Sequence, residues 1–381
     1  MKRAPTLTEI AHRVGEIGER ELAGLDETAA AYRALALLRA ENLIAWTVPE
    51  LYGGASTNGA VPKNVVSVRA LCELRNALAR HSGMLDLMLM MQGLGSFAIA
   101  LGGSDELRRE ILPLVARGER IAAFAMTEPE AGSSVRDIAT TAERTAHGYR
   151  LNGTKTFISN AGIAAFYTVL ARTSGKPGDA EGMSMFYVPA ASRGLTVERF
   201  EVMAPHPIGE VRFRDVDIER GFLLGEEGAG SALAVATLMR FRTTVASAAI
   251  GFARRAFDES CAYLKKRKQF GKPLATFQAL RFDIAEMDVR LRAAELLVAE
   301  AVEAVDNGRE ARAEVARAKF FATETASFVC DRAVQHFGGL GVKRGTIVEA
   351  LFREVRALRI YEGTSEIQRI VLAKELLDGE R

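Results

Sequence analysis

The chain lacks the residues that make a disulfide scaffold, a metal-binding domain or a polyelectrolyte. Three cysteines in 381 residues (Cys72, Cys261 and Cys330) stand far apart, with no metal-ligand spacing. That excludes a disulfide framework and points to a reducing compartment with buried thiols; no metal is expected. An excess of one charge is missing too. Fifty Lys and Arg against 48 Asp and Glu leave a formal net charge of +2, which gives no bulk electrostatic ground for binding nucleic acid or an anionic membrane. The start, MKRAPTLTEIAHRV, carries two basic residues and then turns polar and amphipathic, unlike a secretory signal. The one long apolar run, Met84 to Leu101, holds Asp86, Gln92 and Ser96. It fits a buried helix better than a membrane span, which wants about 20 apolar residues without a charge. A cytoplasmic protein is expected.

What is present is ordinary in bulk, with 48% hydrophobic and 26% charged residues, and long enough for two or three domains. The organisation lies in the hydrophobic period. Residues 1–120 read as helical, with Leu35, Leu37 and Leu38 among Arg33, Arg39 and Glu41 and an N-cap expected at Ser104. Over 121–228 the period becomes two. Ile121–Met126, Tyr149–Leu151, Lys155–Ile158, Phe166–Leu170, Met185–Val188 and Val211–Ile218 read as strands, and Asn152-Gly153 is a strong hairpin-turn dipeptide. From 229 to 381 the helical period returns in proline-free segments near 229–265, 276–306, 310–336 and 345–355, as in a helical bundle. The expected class is α+β: an N-terminal helical domain, a middle antiparallel barrel or sandwich, and a C-terminal four-helix bundle.

Five strings carry chemistry, each beside a plainer alternative. Phe124-Ala-Met126-Thr127-Glu128-Pro129-Glu130-Ala-Gly132-Ser133-Ser134 reads as a strand running into a tight loop. Such a loop aims N–H groups and hydroxyls at a phosphate or a heterocycle edge; an ordinary turn is the alternative. In Leu151-Asn-Gly-Thr-Lys155-Thr-Phe157-Ile-Ser159-Asn160, Phe157 and Ser159 share a strand face, able to stack on a flat ring and bond its edge, or simply to join a core. Five basic residues between Lys265 and Lys272 are either a solvated helix end or a pyrophosphate site. Gln335-His336-Phe337-Gly338-Gly339-Leu340-Gly341 leaves a helix through three glycines, more than one C-cap needs; His336 reads as structural. In Tyr361-Glu362-Gly363-Thr364-Ser365-Glu366-Ile-Gln368, a capping-box pattern starts a helix near Ser365. Glu362 is then left on irregular backbone, as a catalytic group or as a complement to the helix N-terminus.

Together, and in this order over nearly the whole chain, these strings resemble the acyl-CoA dehydrogenase family. The likeness begins at Val48-Pro-Glu-Leu-Tyr52-Gly-Gly and ends at Ile370-Val-Leu-Ala-Lys374. The resemblance implies the three-part fold just described and an FAD cofactor lying between the middle domain and the bundle, with part of the site given by a neighbouring subunit of a homotetramer. It places Phe124, Met126, Thr127 and Ser133 toward the flavin and its phosphates, and Phe157 and Ser159 against the ring. Arg267, Gln269, Phe270 and Gln278, with Gln335, Gly338 and Gly339, correspond to the part that reaches across the interface. Thr364 and Glu366 complete the cofactor contacts.

The resemblance makes Glu362 the catalytic base. It takes the α-proton of an acyl-CoA thioester while the β-hydrogen leaves as hydride to flavin N5, giving a trans-2-enoyl-CoA. The family polarises the thioester carbonyl with this residue's backbone N–H and a flavin ribose hydroxyl. A carboxylate is an adequate base here only if burial beside an apolar acyl chain raises its pKa, a shift the nearby helix N-terminus opposes. Some members carry the base on a bundle helix, next to the arginine that matches Arg242; here that neighbour is Phe241, which takes no proton. Ser133, Phe241, Arg242 and Gly363 are expected at the substrate, as are Met90, Met91 and Leu94 on the helix that floors the family's acyl pocket.

That methionine-rich helix suits a branched, cyclic or aryl acyl group, or is plain core. No Arg or Lys falls between Arg80 and Arg108, which counts against a dicarboxylic chain. Electrons are expected to pass to an electron-transfer flavoprotein, in fatty acid or carboxylic acid degradation. The alternatives are a same-fold acyl-CoA oxidase, a non-oxidative CoA lyase, and a non-catalytic flavin scaffold; Glu362 and the near-neutral charge weigh against the last. Four single positions depart from the family's usual pattern: Phe157 stands for tryptophan, Ser159 for threonine, Glu130 for glycine and Ser134 for aspartate. The segment Met203–Gly209 also differs.

Overall fold

The computed structural model describes residues 3–378; Met1, Lys2 and residues 379–381, at the ends of the first and last expected segments, lie outside the described residues. In chain order the helices before the sheet are α1 (Leu7–Glu21), α2 (Glu27–Ala40), α3 (Val68–Ala79), α4 (Gly83–Gly102) and α5 (Asp105–Ala116). The strands are β1 (Ala122–Ala125), β2 (Thr141–Arg144), β3 (Gly148–Ser159), β4 (Phe166–Arg172), β5 (Met183–Pro189), β6 (Leu195–Arg199), β7 (Ile208–Glu219) and β8 (Leu223–Leu224). Then come α6 (Gly230–Lys266), the small pair β9 (Lys268–Gln269) and β10 (Lys272–Pro273), α7 (Gln278–Asp306), α8 (Arg312–Phe337), α9 (Ile347–Leu358) and α10 (Ser365–Leu377). The four proline-free segments thus become α6 to α9, and the expected cap stands at Ser104, whose side chain accepts from the Leu107 N–H. By length and composition α4 and α6 are each apolar enough to cross a membrane; α4 is almost wholly buried within the protein.

Contacts group the chain into two units that do not follow sequence order. One comprises Arg20–Ser67 and Leu87–Phe241, the other Met1–Glu19, Val68–Asp86 and Arg242–Arg381. In the first, eight strands form one sheet in the order β6-β7-β3-β2-β4-β5-β8, with β1 beside β4. Here the expectation of an antiparallel sheet is corrected: β1 and β2 both run parallel to β4, and the sheet is mixed. Chain crossings between non-consecutive strands, invisible to a local period, decide this. Tyr149, Leu151, Ile158, Phe186, Val188, Phe213 and Val216 make the core on one sheet face.

The Asn152-Gly153 hairpin does not form either, because β3 runs straight through it. Leu151 pairs with Val216 and Gly153 with Phe213, so β7 carries one residue more than β3 between these pairs. The surplus is absorbed at Asp215 (φ +51), whose N–H donates to the Asn152 side chain at 2.9 Å. Gly153 is needed because its φ is +146° and a Cβ there would lie 2.5 Å from the Thr140 hydroxyl. The dipeptide's positive-φ tolerance is used for a β-bulge, which bends and twists the strand, in place of a turn.

In the second unit, α8 packs against α7, α9 and α10. Helix α3 approaches α6 closely enough that a Cβ on Gly251 would meet the Asn76 carbonyl at 2.3 Å. Asn76 donates to the Ser247 carbonyl at 3.0 Å and Ser247 to the Cys72 carbonyl at 2.8 Å, fastening the crossing. The first N–H groups of α3, which no turn of its own satisfies, donate to the Asp306 carboxylate at 2.8 and 3.0 Å.

Candidate active site

Helix α9 ends at Leu358, and after six intervening residues α10 begins at Ser365. Its N-cap is Thr364, whose hydroxyl accepts from the Ile367 N–H at 3.3 Å. Ser365, expected as the cap, is instead the first helical residue and donates to Glu324 of α8 at 2.5 Å. Between the helices Glu362 and Gly363 are both left-handed, with φ +53 and +91. For glutamate that conformation costs roughly 1–2 kcal/mol, so the surroundings must hold it.

They hold it by its carbonyls. Arg242 of α6 donates to the Glu362 carbonyl at 2.8 Å. The Gly363 carbonyl accepts from Lys319 of α8 at 2.7 Å and from Gln368 of α10 at 3.0 Å. Gly363 is the residue that fits, since a Cβ would stand 2.7 Å from the Gln368 side-chain nitrogen.

The carboxylate itself is left with no partner: both Glu362 oxygens are buried and make no hydrogen bond. Burial pushes its pKa up, and Arg75, Arg242 and Lys319 pull the other way. Burial therefore outweighs the charges around it. The result is a carboxyl group poised as a proton acceptor, of raised basicity and without competing donors.

An ion pair lies behind this turn. Arg75 of α3 donates twice to Asp86 of α4, Nε and Nη2 each at 2.7 Å, and once to Thr244 of α6 at 2.8 Å. Both side chains are at most 5% exposed. Sequence reasoning missed Arg75 and Lys319 and used Asp86 only against a membrane span. A signal was available for Asp86 alone, the single charge of an apolar run; Arg75 and Lys319 stand among other charges such as Glu73 and Arg317 and are not marked by their neighbours.

Of the expected substrate residues, Arg242 and Gly363 are brought to Glu362. Met90, Met91 and Leu94 are buried on α4, and the buried Phe241 lies edge-on to Phe97 at 5.8 Å. Ser133 is exposed in the loop after β1.

The expected flavin residues fall into groups. In the sheet unit the Thr156 N–H donates to the Thr127 carbonyl at 2.9 Å and the Asn160 side chain to the Ala122 carbonyl at 3.0 Å. The end of β3 is thus fastened beside β1 and the residues that follow it. Lys155, fully buried, fixes the corner by donating to the Met126 carbonyl at 3.0 Å and to Glu128 at 2.7 Å.

A second register shift lies between Lys155 and Ile158, and Phe157 within it has φ +55. A bulge there re-aims the ring, which is 61% exposed and supported edge-on by Phe200 at 5.2 Å. An exposed aromatic held in a strained conformation fits the face of a flat heterocycle. Phe157→Ala is expected to leave urea unfolding within about 0.5 kcal/mol of the parent, as exposed positions do, while flavin retained through gel filtration falls. Unchanged flavin content sinks this assignment.

In the helical unit, Arg267, Gln269 and Phe270 lie on or beside the exposed β9–β10 hairpin, and Gln278 opens α7. Gln335, Gly338 and Gly339 are exposed at the end of α8, where Gly338 turns with φ +59. Stacking of Tyr263 on Phe337 at 4.1 Å ties the end of α6, where the hairpin begins, to those glycines. His336 is buried between Ser260 at 2.5 Å and Asp283 at 3.2 Å. Ser260 is fully buried as well, so this trio fastens α6, α7 and α8 and offers no nucleophile. Thr364 and Glu366 stand beside the Glu362 turn.

Comparison with known proteins agrees with this layout. Family models for the N-terminal, middle and C-terminal domains of acyl-CoA dehydrogenase match residues 6–119, 123–216 and 228–377. The subunit CarC of the caffeyl-CoA reductase-Etf complex of Acetobacterium woodii is 38% identical over 307 residues, 78% of this chain and 80% of that protein. Cyclohexane-1-carbonyl-CoA dehydrogenase of Geobacter metallireducens is 35% identical, over 90% of this chain and 88% of its own length. The solved structure of butyryl-CoA dehydrogenase from Megasphaera elsdenii superposes with a TM-score of 0.89 at 30% identity, covering 99% of this chain and all of that one.

Proposed function

The chain belongs to the acyl-CoA dehydrogenase family, and from that premise we propose that it removes the α-proton and the β-hydrogen of an acyl-CoA thioester with an apolar acyl group, Glu362 acting as the base. The observation that carries this reading is the Glu362 carboxylate, buried and unpartnered on a turn clamped through its own backbone. FAD, the family's cofactor, supplies the two-electron acceptor when bound; Phe157, Thr127 and Ser159 would hold its ring. The protein's own part is to exclude water, to orient the thioester and to receive a proton on a Glu362 oxygen. A base whose pKa is raised toward the working pH is a stronger acceptor than a solvated carboxylate. The residue's own N–H would polarise the thioester carbonyl as negative charge develops there.

An apolar acyl group is supported by the accounting of nearby cations. Arg75 is matched by Asp86, and Arg242 and Lys319 hold backbone carbonyls, so none of the three is set to grip a second carboxylate. Relatives named for caffeyl-CoA and cyclohexane-1-carbonyl-CoA support a ring-bearing substrate, and the Etf complex of the first supports an electron-transfer flavoprotein as electron acceptor. A homotetramer is supported by Phe282, Val289 and Leu296, seven residues apart on α7 and each more than half exposed. We place the enzyme in the cytoplasm, in carboxylic acid degradation.

The test is anaerobic titration of the holoenzyme with straight, branched, cyclic and aryl-substituted acyl-CoAs, following the visible flavin band. Bleaching by a ring-bearing thioester is the expected result. A holoenzyme bleached by no thioester overturns the reading.

A further inference from the structure

Lys319 sits on α8, two turns in from its start, with its side chain fully buried. A buried ammonium is costly unless something needs its charge, and its visible bond, to the Gly363 carbonyl, does not need one. Gln368 already donates to the same oxygen. What the lysine adds is a positive charge next to a buried carboxylate that has no hydrogen-bond partner.

We propose that Lys319 is a positioning residue for Glu362: it ties down the Gly363 carbonyl so that the turn stays left-handed, and its charge determines the pH at which the carboxylate becomes available as a base. The proposal rests on the reading of Glu362 as that base. The geometry assigns the two carbonyls of one turn to two cations arriving from different helices, Arg242 from α6 and Lys319 from α8. Clamped from both, the peptide units on either side of Gly363 cannot flip, and the side chain of Glu362 keeps its direction.

The electrostatics singles out Lys319 among the cations. Arg75 is paired to Asp86, and Arg242 keeps its proton at any working pH. Burial pushes the Lys319 ammonium down to about 8, and Glu362 is the strongest charge holding its proton on, with Glu324 and Glu366 helping and Arg242 opposing. Lys319 is thus the cation of this shell whose charge changes near neutral pH. Lost as pH rises through about 8, it takes with it part of what favours the Glu362 carboxylate.

The experiment is infrared spectroscopy of the FAD holoenzyme without substrate. The protonated-carboxyl band that Glu362→Gln removes is titrated with pH in the parent, Lys319→Gln, Lys319→Met and Lys319→Arg. Glutamine keeps a donor without charge, methionine keeps neither, and arginine keeps the charge. The midpoint is expected to rise by about one pH unit, a tenfold change in proton affinity, in the glutamine and methionine variants and to stay near the parent's with arginine. The acid limb of the flavin-reduction rate moves with it at unchanged KM, and methionine alone also lowers the plateau. A midpoint unmoved by Lys319→Gln, or moved as far by Lys319→Arg, overturns the proposal. Either result is independent of substrate: failure of every thioester to bleach the parent flavin counts against the dehydrogenase reading, and the infrared midpoints then still decide whether Lys319 governs Glu362.

Discussion

Glu362→Gln is expected to lower the rate of flavin reduction by on the order of 10²–10⁴-fold, the range of a lost general base, with FAD content and acyl-CoA binding retained. Glutamine has the same shape, and the turn is held through carbonyls that the substitution leaves in place. The loss should therefore fall on the chemical step alone. Stability gives an independent check. Burial raises the Glu362 pKa in the folded state, so the folded chain holds this proton more tightly than the unfolded one. Parent stability therefore falls as pH rises from the ordinary carboxylate range through the raised value. The variant escapes that fall. Its unfolding midpoint relative to the parent's should climb from acid to neutral pH. A variant that still bleaches with the parent's rate means that another group takes the proton.

The largest expected loss of stability comes from Asp86→Ala. It strands the Arg75 guanidinium in a site where both side chains are at most 5% exposed, and breaking such a pair from one side costs about 3–5 kcal/mol. Removing both charges with shape-filling residues, Arg75→Met with Asp86→Leu, should recover most of that, because the desolvation of two ions disappears together. Urea unfolding of the three proteins measures it. A double variant as unstable as Asp86→Ala alone would mean that the cost lies in packing and not in the stranded charge.

How much of this was readable beforehand depends on how far each cause reaches along the chain. Helices α6 to α9 follow from an unbroken apolar period, which acts over three or four residues, and Ser104 caps α5 by a bond spanning three. The parallel pairing of β1 and β2 with β4 depends on partners dozens of residues away and leaves no local trace. Asn152-Gly153 shows the intermediate case: the backbone preference is real, but whether it makes a turn or a bulge is decided by β7. Phe157 and Glu362 were legible as motif positions and not as left-handed residues, since neither type favours that conformation. The Arg75–Asp86 pair and the Lys319 bond to Gly363 join residues 11 and 44 apart, and a charge read in sequence does not name its partner. The cap at Thr364 in place of Ser365 is a shift of one residue, the usual uncertainty at a helix end.

The bonds from the first turn of α3 to Asp306 have a bearing on how the protein is made. They close a span of 238 residues, so while the chain is being synthesised, from the N-terminus onward, α3 exists long before its acceptor. Its unit also needs Arg242–Arg381, which leaves the ribosome well after α3. Until then the apolar sides of α3 and of the first part of α4 have no permanent neighbour. The nascent protein passes through a long interval in which its sheet unit has all its segments and its helical unit does not. Fragments ending before α7 should for the same reason need a chaperone to stay soluble.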